Sequence, residues 1–116
     1  MYTKAIIISC VLVITLLAIP MVGCESNQTP TASFSYTPEA PYRGAPVVFS
    51  DSSSDSDGSI IEWYWNFGDG NNSTDQNPTH NFPGAAGTYT VTLTVTDDDG
   101  ASDTYSANIT VALAPD

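Results

Sequence analysis

From Ile60 to Gly70 the chain reads Ile-Ile-Glu-Trp-Tyr-Trp-Asn-Phe-Gly-Asp-Gly, and no other stretch narrows the choice of fold so far. Apolar residues fall at Ile61, Trp63, Trp65 and Phe67, every second position, which in an extended chain places all four on one face of a strand. Both tryptophans of the chain lie on that face. A buried aromatic side chain of this size removes on the order of 150–250 Å² from water, so a strand carrying three of them seeds the core of a small domain. Gly68, Asp69 and Gly70 then end the strand. Glycine tolerates positive φ, and an aspartate side chain bonds backbone amides two residues on, so a sharp turn follows.

The same period of two recurs on both sides of this stretch. Ala32, Phe34 and Tyr36 alternate with Ser33 and Ser35 in a first strand, closed off by Pro38, Pro41 and Gly44. Val47 and Phe49 begin a second strand after Pro46, and Ser50 to Gly58, with no apolar residue, reads as a solvated loop. Asn71 to Pro78 is turn-rich and polar, with at most a short edge strand around Ser73 to Gln76. Tyr89, Val91, Leu93 and Val95 point inward while Thr88, Thr90, Thr92, Thr94 and Thr96 point out, a β-branched row suited to a half-exposed antiparallel strand. After the turn at Asp97-Asp98-Asp99-Gly100, Tyr105, Ala107, Ile109 and Val111 form the inward set of a last strand that pairs back as a hairpin. No segment after Gly23 has helical periodicity. Six or seven short strands at regular spacing predict an all-β fold of two packed antiparallel sheets.

Three blocks, in order, carry a family resemblance: Trp65-Asn66-Phe67-Gly68-Asp69-Gly70, then Asn77-Pro78-Thr79-His80, then Gly87-Thr88-Tyr89 through Asp97. Together they resemble the signature of PKD (polycystic kidney disease repeat) domains, over about Pro30 to Val111 and in a single copy. The resemblance implies an immunoglobulin-like two-sheet β-sandwich. It places Trp65 as the buried core tryptophan, Trp63 where a tyrosine or another aromatic is usual, and His80 as a brace for the Gly68-Asp69-Gly70 turn. Such domains are non-catalytic modules attached to proteases, chitinases and surface-layer proteins. The implied role is contact with a protein or a carbohydrate through an exposed sheet face or the loops.

Ahead of the sandwich, Met1 and Lys4 precede an uncharged run from Ala5 to Gly23 that reads as a secretory signal or, at about 18 residues, as an uncleaved anchor. Met21-Val22-Gly23-Cys24 resembles a lipobox, with Met21 where leucine is preferred. This makes Cys24 the candidate lipid attachment, beside the alternatives of a transmembrane anchor and of plain secretion. The expected division is 1–23 as signal or anchor, 24–30 as tether and 31–112 as the sandwich. At roughly 3.3 Å per residue, the tether keeps the domain about 20 Å from the bilayer. The expected place is the outer face of the cell membrane, with the domain extracellular. No cysteine follows Cys24, so the domain has no intrachain disulfide.

Beyond residue 23 Arg43 is the single positive side chain against thirteen acids, a net of −12. Such a surface repels nucleic acid and anionic headgroups. The acids either solvate an exported surface or in part ligate a cation. Asp55-Ser56-Asp57-Gly58 has the alternate carboxylates and turn glycine of hard-cation sites but lacks the bidentate glutamate of an EF-hand. Some PKD domains bind calcium between this loop, the entering chain and the aspartate ending the penultimate strand. The resemblance therefore implies Asp55, Asp57 and Asp97, with backbone oxygens near Asn27 to Thr29, as a calcium set. Capping of a solvated loop is the other reading of the same residues. No cofactor is required by either.

For catalysis a nucleophile, a base and an orienting group must stand together. His80 is the one histidine, and the carboxylates sit in loops where no apolar shielding is expected to set one pKa against another. No enzyme is indicated. Outward aromatics for a sugar platform are limited to Tyr42 and Tyr64, which makes a carbohydrate-binding module the alternative reading. Four N-glycosylation patterns, starting at Asn27, Asn71, Asn72 and Asn108, complete the motifs.

Overall fold

The computed structural model describes residues 27–115. Seven strands follow in chain order: β1 Phe34–Thr37, β2 Pro46–Asp51, β3 Ile60–Asn66, β4 Asn72–Ser73, β5 Thr79–Asn81, β6 Gly87–Asp97 and β7 Ser102–Val111. They form a three-stranded sheet, β1-β2-β5, and a four-stranded sheet, β4-β3-β6-β7. Every pairing between these strands is antiparallel. The expected all-β, two-sheet sandwich is the observed architecture, with no helix among the described residues.

Its core is the sum of the inward sets. Phe34 from β1, Val47 and Phe49 from β2, Trp65 and Phe67 from the β3 arm, Phe82, Val91, Leu93 and Val95, and Ile109 and Val111 from β7 are all buried. Trp65 sits at the centre. Its ring centroid lies 5.0 Å from Phe34 and 5.4 Å from Phe49 across the sandwich, and 6.2 Å from Phe67 along its own strand. Aromatic pairs at these separations add to the burial of their own area. On the opposite face of β6 and β7, Thr88, Thr92 and Thr94 meet Thr110, Ser106 and Thr104 through hydroxyl contacts of 3.3, 2.8 and 3.1 Å. Thr90 Oγ1 donates to Asn108 Oδ1 at 2.7 Å.

Four expectations are corrected. Ile61 does not share the inward face of Trp63, Trp65 and Phe67. A bulge between Ile60 and Glu62 shifts the register, so Ile60 packs against the core and Ile61 is 55% exposed. Tyr105 is also exposed, at 41%, because it lies on the edge strand, where its ring has Phe34 edge-on at 5.2 Å but little else above it. The edge strand expected near Ser73 to Gln76 is shorter and earlier, at Asn72–Ser73. Similarly, the run from Ser50 is less open than a free loop. β2 extends to Asp51, and Ser54 exchanges backbone hydrogen bonds with Thr31 at 2.7 and 3.0 Å.

With Trp65 fully buried and touching both sheets, Trp65→Ala should cost about 3–5 kcal/mol in a denaturant melt. Thr92→Ala, which loses an exposed hydroxyl pair with Ser106, should cost less than about 1 kcal/mol. Equal losses would mean that the faces of the sheet are assigned the wrong way round.

Candidate functional site

The β3 arm places chemistry on three surfaces. Its outward residues are Glu62, Tyr64 and Asn66, which pair with Thr96, Thr94 and Thr92 of β6. Tyr64 is 45% exposed, as outward orientation requires. Beside it runs an open groove of about 620 Å³, bounded by Glu62, Tyr64, Asp75, Gln76, Thr94 and Thr96. Beneath it both indole N–H groups, which need acceptors once buried, find them on other segments. Trp65 Nε1 donates to the Asp75 carbonyl at 2.8 Å, and Trp63 Nε1 to Asp51 Oδ2 at 2.9 Å. Gln76 Nε2 donates to the same Asp51 oxygen at 3.0 Å. Burial works against the Asp51 carboxylate, but hydrogen bonds from Ser53, Gln76 and Trp63 outweigh it and hold the carboxyl below its ordinary range. Asp51 and Gln76 carry no motif. The signal that could have found them is the need of two inward indoles for acceptors.

The second surface is the turn at the end of the arm. Gly68 has φ +78°, and a Cβ there would stand 2.5 Å from the Thr90 carbonyl oxygen, so the turn crosses β6 where only glycine fits. Asp69 Oδ1 accepts from the Asn71 N–H at 3.0 Å, and Gly70 has φ +93° in open space. Asp69 Oδ2 lies 2.8 Å from His80 Nε2. The imidazole stacks on Phe67 at 4.0 Å with a 6° tilt, and Phe82 and Tyr89 continue the ring series beyond it. Burial raises the Asp69 carboxyl, and hydrogen bonds from His80 and Asn71 more than reverse that, leaving it lowered. His80 is thus engaged by the turn on one side and the core on the other.

At the opposite end of the arm the acids gather. Asp97 is fully buried. Its Oδ1 accepts from the N–H groups of Asp99 and Ala101 at 2.9 and 2.8 Å, and its Oδ2 from Asn27 Nδ2 at 3.2 Å. Asp57 Oδ2 accepts from the Gln28 N–H at 2.8 Å. Gly58 is packed so closely that a Cβ there would lie 2.6 Å from Asp98 Oδ1 and 3.1 Å from Asp55 Oδ2. Burial pushes the Asp55 carboxyl up, with Asp57 and Asp97 adding to the shift. The expectation that no loop carboxylate is set apart from the others is therefore corrected at Asp51, Asp55 and Asp69.

Among the described residues, the side chains at this acidic end offer oxygen donors, as a hard cation requires. Asn27 Oδ1 and Asp55 Oδ2 are buried without a hydrogen-bond partner. Among the described residues, however, no three acidic, histidine or cysteine side chains are grouped so as to hold a metal ion. Asp55, Asp57 and Asp97 share one end of the sandwich, and Asp57 and Asp97 are already occupied by N–H donors. Cys24, the candidate lipid attachment, lies outside the described residues.

The carboxyl shifts carry opposite signs for stability. A lowered Asp69 stabilises the fold above its unfolded value of about 3.9, and that contribution is lost as pH falls through the folded value. A raised Asp55 costs stability once ionised, and acidification relieves that cost. In urea melts between pH 7 and 2, Asp69→Asn should lower stability at pH 7 and flatten the acid-side loss. Asp55→Asn should raise stability at pH 7. The reverse order would contradict the hydrogen-bond geometry of the turn and the crowding of the acidic end.

Comparison with known proteins places the fold. The model of the family described as the PKD domain matches residues 27–112. The pre-pro-metalloprotease PrtV of Vibrio cholerae is 46% identical over 85 residues, which is 73% of this chain and 9% of the protease. Collagenase ColA of Bacillus cereus is 46% identical over 66 residues, covering 57% of this chain and 7% of the collagenase. The chain thus spans less than a tenth of these relatives. Among solved structures, 37% of one chain from a study of the promiscuous specificity of carbohydrate-binding modules of the β-sandwich superfamily superposes on 78% of this chain, with a TM-score of 0.74 at 41% identity. The PKD1 domain of the Vibrio cholerae metalloprotease PrtV superposes at 0.65 with 44% identity, over 73% and 99% of the two chains. Residues 27–112, with the tryptophan arm, the glycine turn and its histidine brace, make this chain a member of the PKD domain family.

Proposed function

We propose that the chain is a non-catalytic binding module, exported and held at the outer face of a membrane, that makes protein contacts through the open side of its four-stranded sheet. The observation that carries this reading is the groove beside Tyr64. It is open, polar at its rim and lined by exposed side chains, while His80 is tied up in the turn. The relatives include proteases in which the matching segment is under a tenth of the length, as expected of an accessory module.

The membrane part rests on the sequence of residues 1–24 alone. Cells expressing the full chain should yield a membrane-associated form that lacks residues 1–23 and carries a diacylglyceryl-type modification on Cys24, read by intact mass. Cys24→Ala should release it. An intact N-terminus would establish an uncleaved anchor, and an unmodified soluble form would remove the membrane from the proposal. Capture of proteins from surface extracts by the full chain supports the binding role. Capture of nothing, in extracts or on a glycan array, contradicts it.

A carbohydrate ligand is the second reading, favoured by the likeness to carbohydrate-binding modules and by the exposed Tyr64 ring. Saturable binding of a polysaccharide that is lost in Tyr64→Ala would favour it over protein contact.

Calcium belongs to the same proposal as a structural ligand of the acidic end. Asn27, Asp55, Asp57 and Asp97 would hold it there, and its charge would offset the burial and the neighbouring carboxylates that raise Asp55. A cation that binds only the folded state contributes about 2.7 kcal/mol at a hundredfold excess over Kd. Calcium should therefore raise the melting temperature by several degrees over magnesium at matched ionic strength, and Asp57→Asn should abolish the difference. Identical melts in the two cations would remove calcium from the account.

A further inference from the structure

The geometry points to a more specific occupant of the groove. We infer that the open half of β3 receives an extended, lysine- or arginine-bearing segment of a partner protein, which adds to the sheet as a strand beside Trp63. This rests on the protein-contact reading above and assigns it a site and a ligand chemistry.

The backbone directions give the first reason. Phe67 donates its N–H to the Asn71 carbonyl at 3.1 Å, and Trp65 pairs with Ser73. Backbone groups in an antiparallel ladder alternate in direction along a strand, so Trp63 aims its N–H and C=O to the same side as Trp65 and Phe67. On that side β4 ends at Ser73, and no strand among the described residues pairs with Trp63. One more ladder position therefore stands vacant on an inner strand of the sheet.

Space is the second reason. A neighbouring strand lies about 4.8 Å away, and the chain after Ser73 is held clear of that lane. The Trp65 indole fixes the Asp75 carbonyl, and Asp51 fixes Gln76. What remains is the groove of about 620 Å³, with Tyr64, Thr94 and Thr96 on its open side. Strand addition takes its affinity from such main-chain bonds and its specificity from alternate side chains.

Side-chain chemistry selects the occupant. Ile61 and Tyr64 offer exposed apolar surface, and Glu62 and Asp75 bring two carboxylates. Arg43, the only positive side chain among the described residues, lies in a different cleft with Gly44, Pro83 and Ala114. A segment alternating apolar and cationic residues complements this lane, whereas a second copy would bring −12 against −12. A sugar would leave the Trp63 ladder position unused and has one tyrosine ring to stack on.

The test is an NMR titration of the full-length, ¹⁵N-labelled chain in mild detergent. The probe is a synthetic ten-residue peptide of alternating valine and lysine. Saturable shifts should centre on Ile61 to Tyr64 and on Asp75 and Gln76, with the Trp63 amide protected from exchange. N-methylation of alternate peptide amides, Glu62→Lys, or a valine–glutamate peptide should each weaken binding at least tenfold. Equal binding by the N-methylated peptide, or shifts spread over the whole acidic surface, would show plain charge attraction and overturn the proposal. Shifts centred on β7, or the same shifts produced by a chitin or cellulose hexasaccharide at equal concentration, would also overturn it. If the peptide fails while the chain still captures surface proteins, the groove assignment falls and the binding-module reading stands.

Discussion

An indole buried in a small sandwich must give its N–H an acceptor, and much of this molecule follows from how two neighbouring tryptophans meet that demand. Trp65 uses the Asp75 carbonyl and Trp63 uses Asp51. Leaving such a donor buried and unpaired costs about 1–3 kcal/mol, so the chain after β4 is bound to stay where these acceptors are needed. β4 is consequently two residues long, because its continuation is drawn off the sheet toward Asp51 of the other sheet. The same bonds that complete the core leave half of β3 with β6 on one side and no strand on the other.

The charge distribution fits this arrangement. The core is aromatic and aliphatic, and the outer face of β6 and β7 is a ladder of uncharged hydroxyls. Many of the acids are left to the turns at the two ends and to the rim of the groove. Where acids enter the structure they act as acceptors for backbone N–H groups, as Asp97 does for Asp99 and Ala101 and Asp69 does for Asn71. Asp55 is the weakest case. It accepts the Asp57 N–H only at 3.4 Å, while burial and two neighbouring carboxylates work against its charge, so its ionised form is held at a cost. An exposed sheet edge risks unwanted pairing, and Glu62 beside the vacant position of Trp63 limits its occupants to segments that tolerate a carboxylate.

The sandwich was legible because its signal is local. Alternation at Tyr89, Val91, Leu93 and Val95 and at Trp63, Trp65 and Phe67 states which side chains share a face, and burial follows from that. The hydroxyl ladder was legible for the same reason. Ile61 was misread because a bulge changes the face without changing the composition of the strand, and nothing in Ile-Ile-Glu marks the extra residue. Tyr105 has the correct alternation but lies on an edge, and edge position is a property of the whole sheet. Asp51, Gln76 and the side chain of Asn27 escaped because their roles depend on partners at separations of 12 to 70 residues. Asp55, Asp57 and Asp97 were named together through the family resemblance alone. That Asp97 spends one oxygen on its own turn and the other on Asn27 is visible only in the fold.

The central claim is that β3 is paired on both sides at Trp65 and on one side at Trp63. Residue-resolved amide hydrogen exchange on the full-length chain without ligand tests this directly. Exchange should be slow at Trp65 and Tyr64, whose N–H groups face β4 and β6, and orders of magnitude faster at Trp63. Protection of Trp63 equal to that of Trp65 would mean that its N–H is already bonded and that β3 has no open edge.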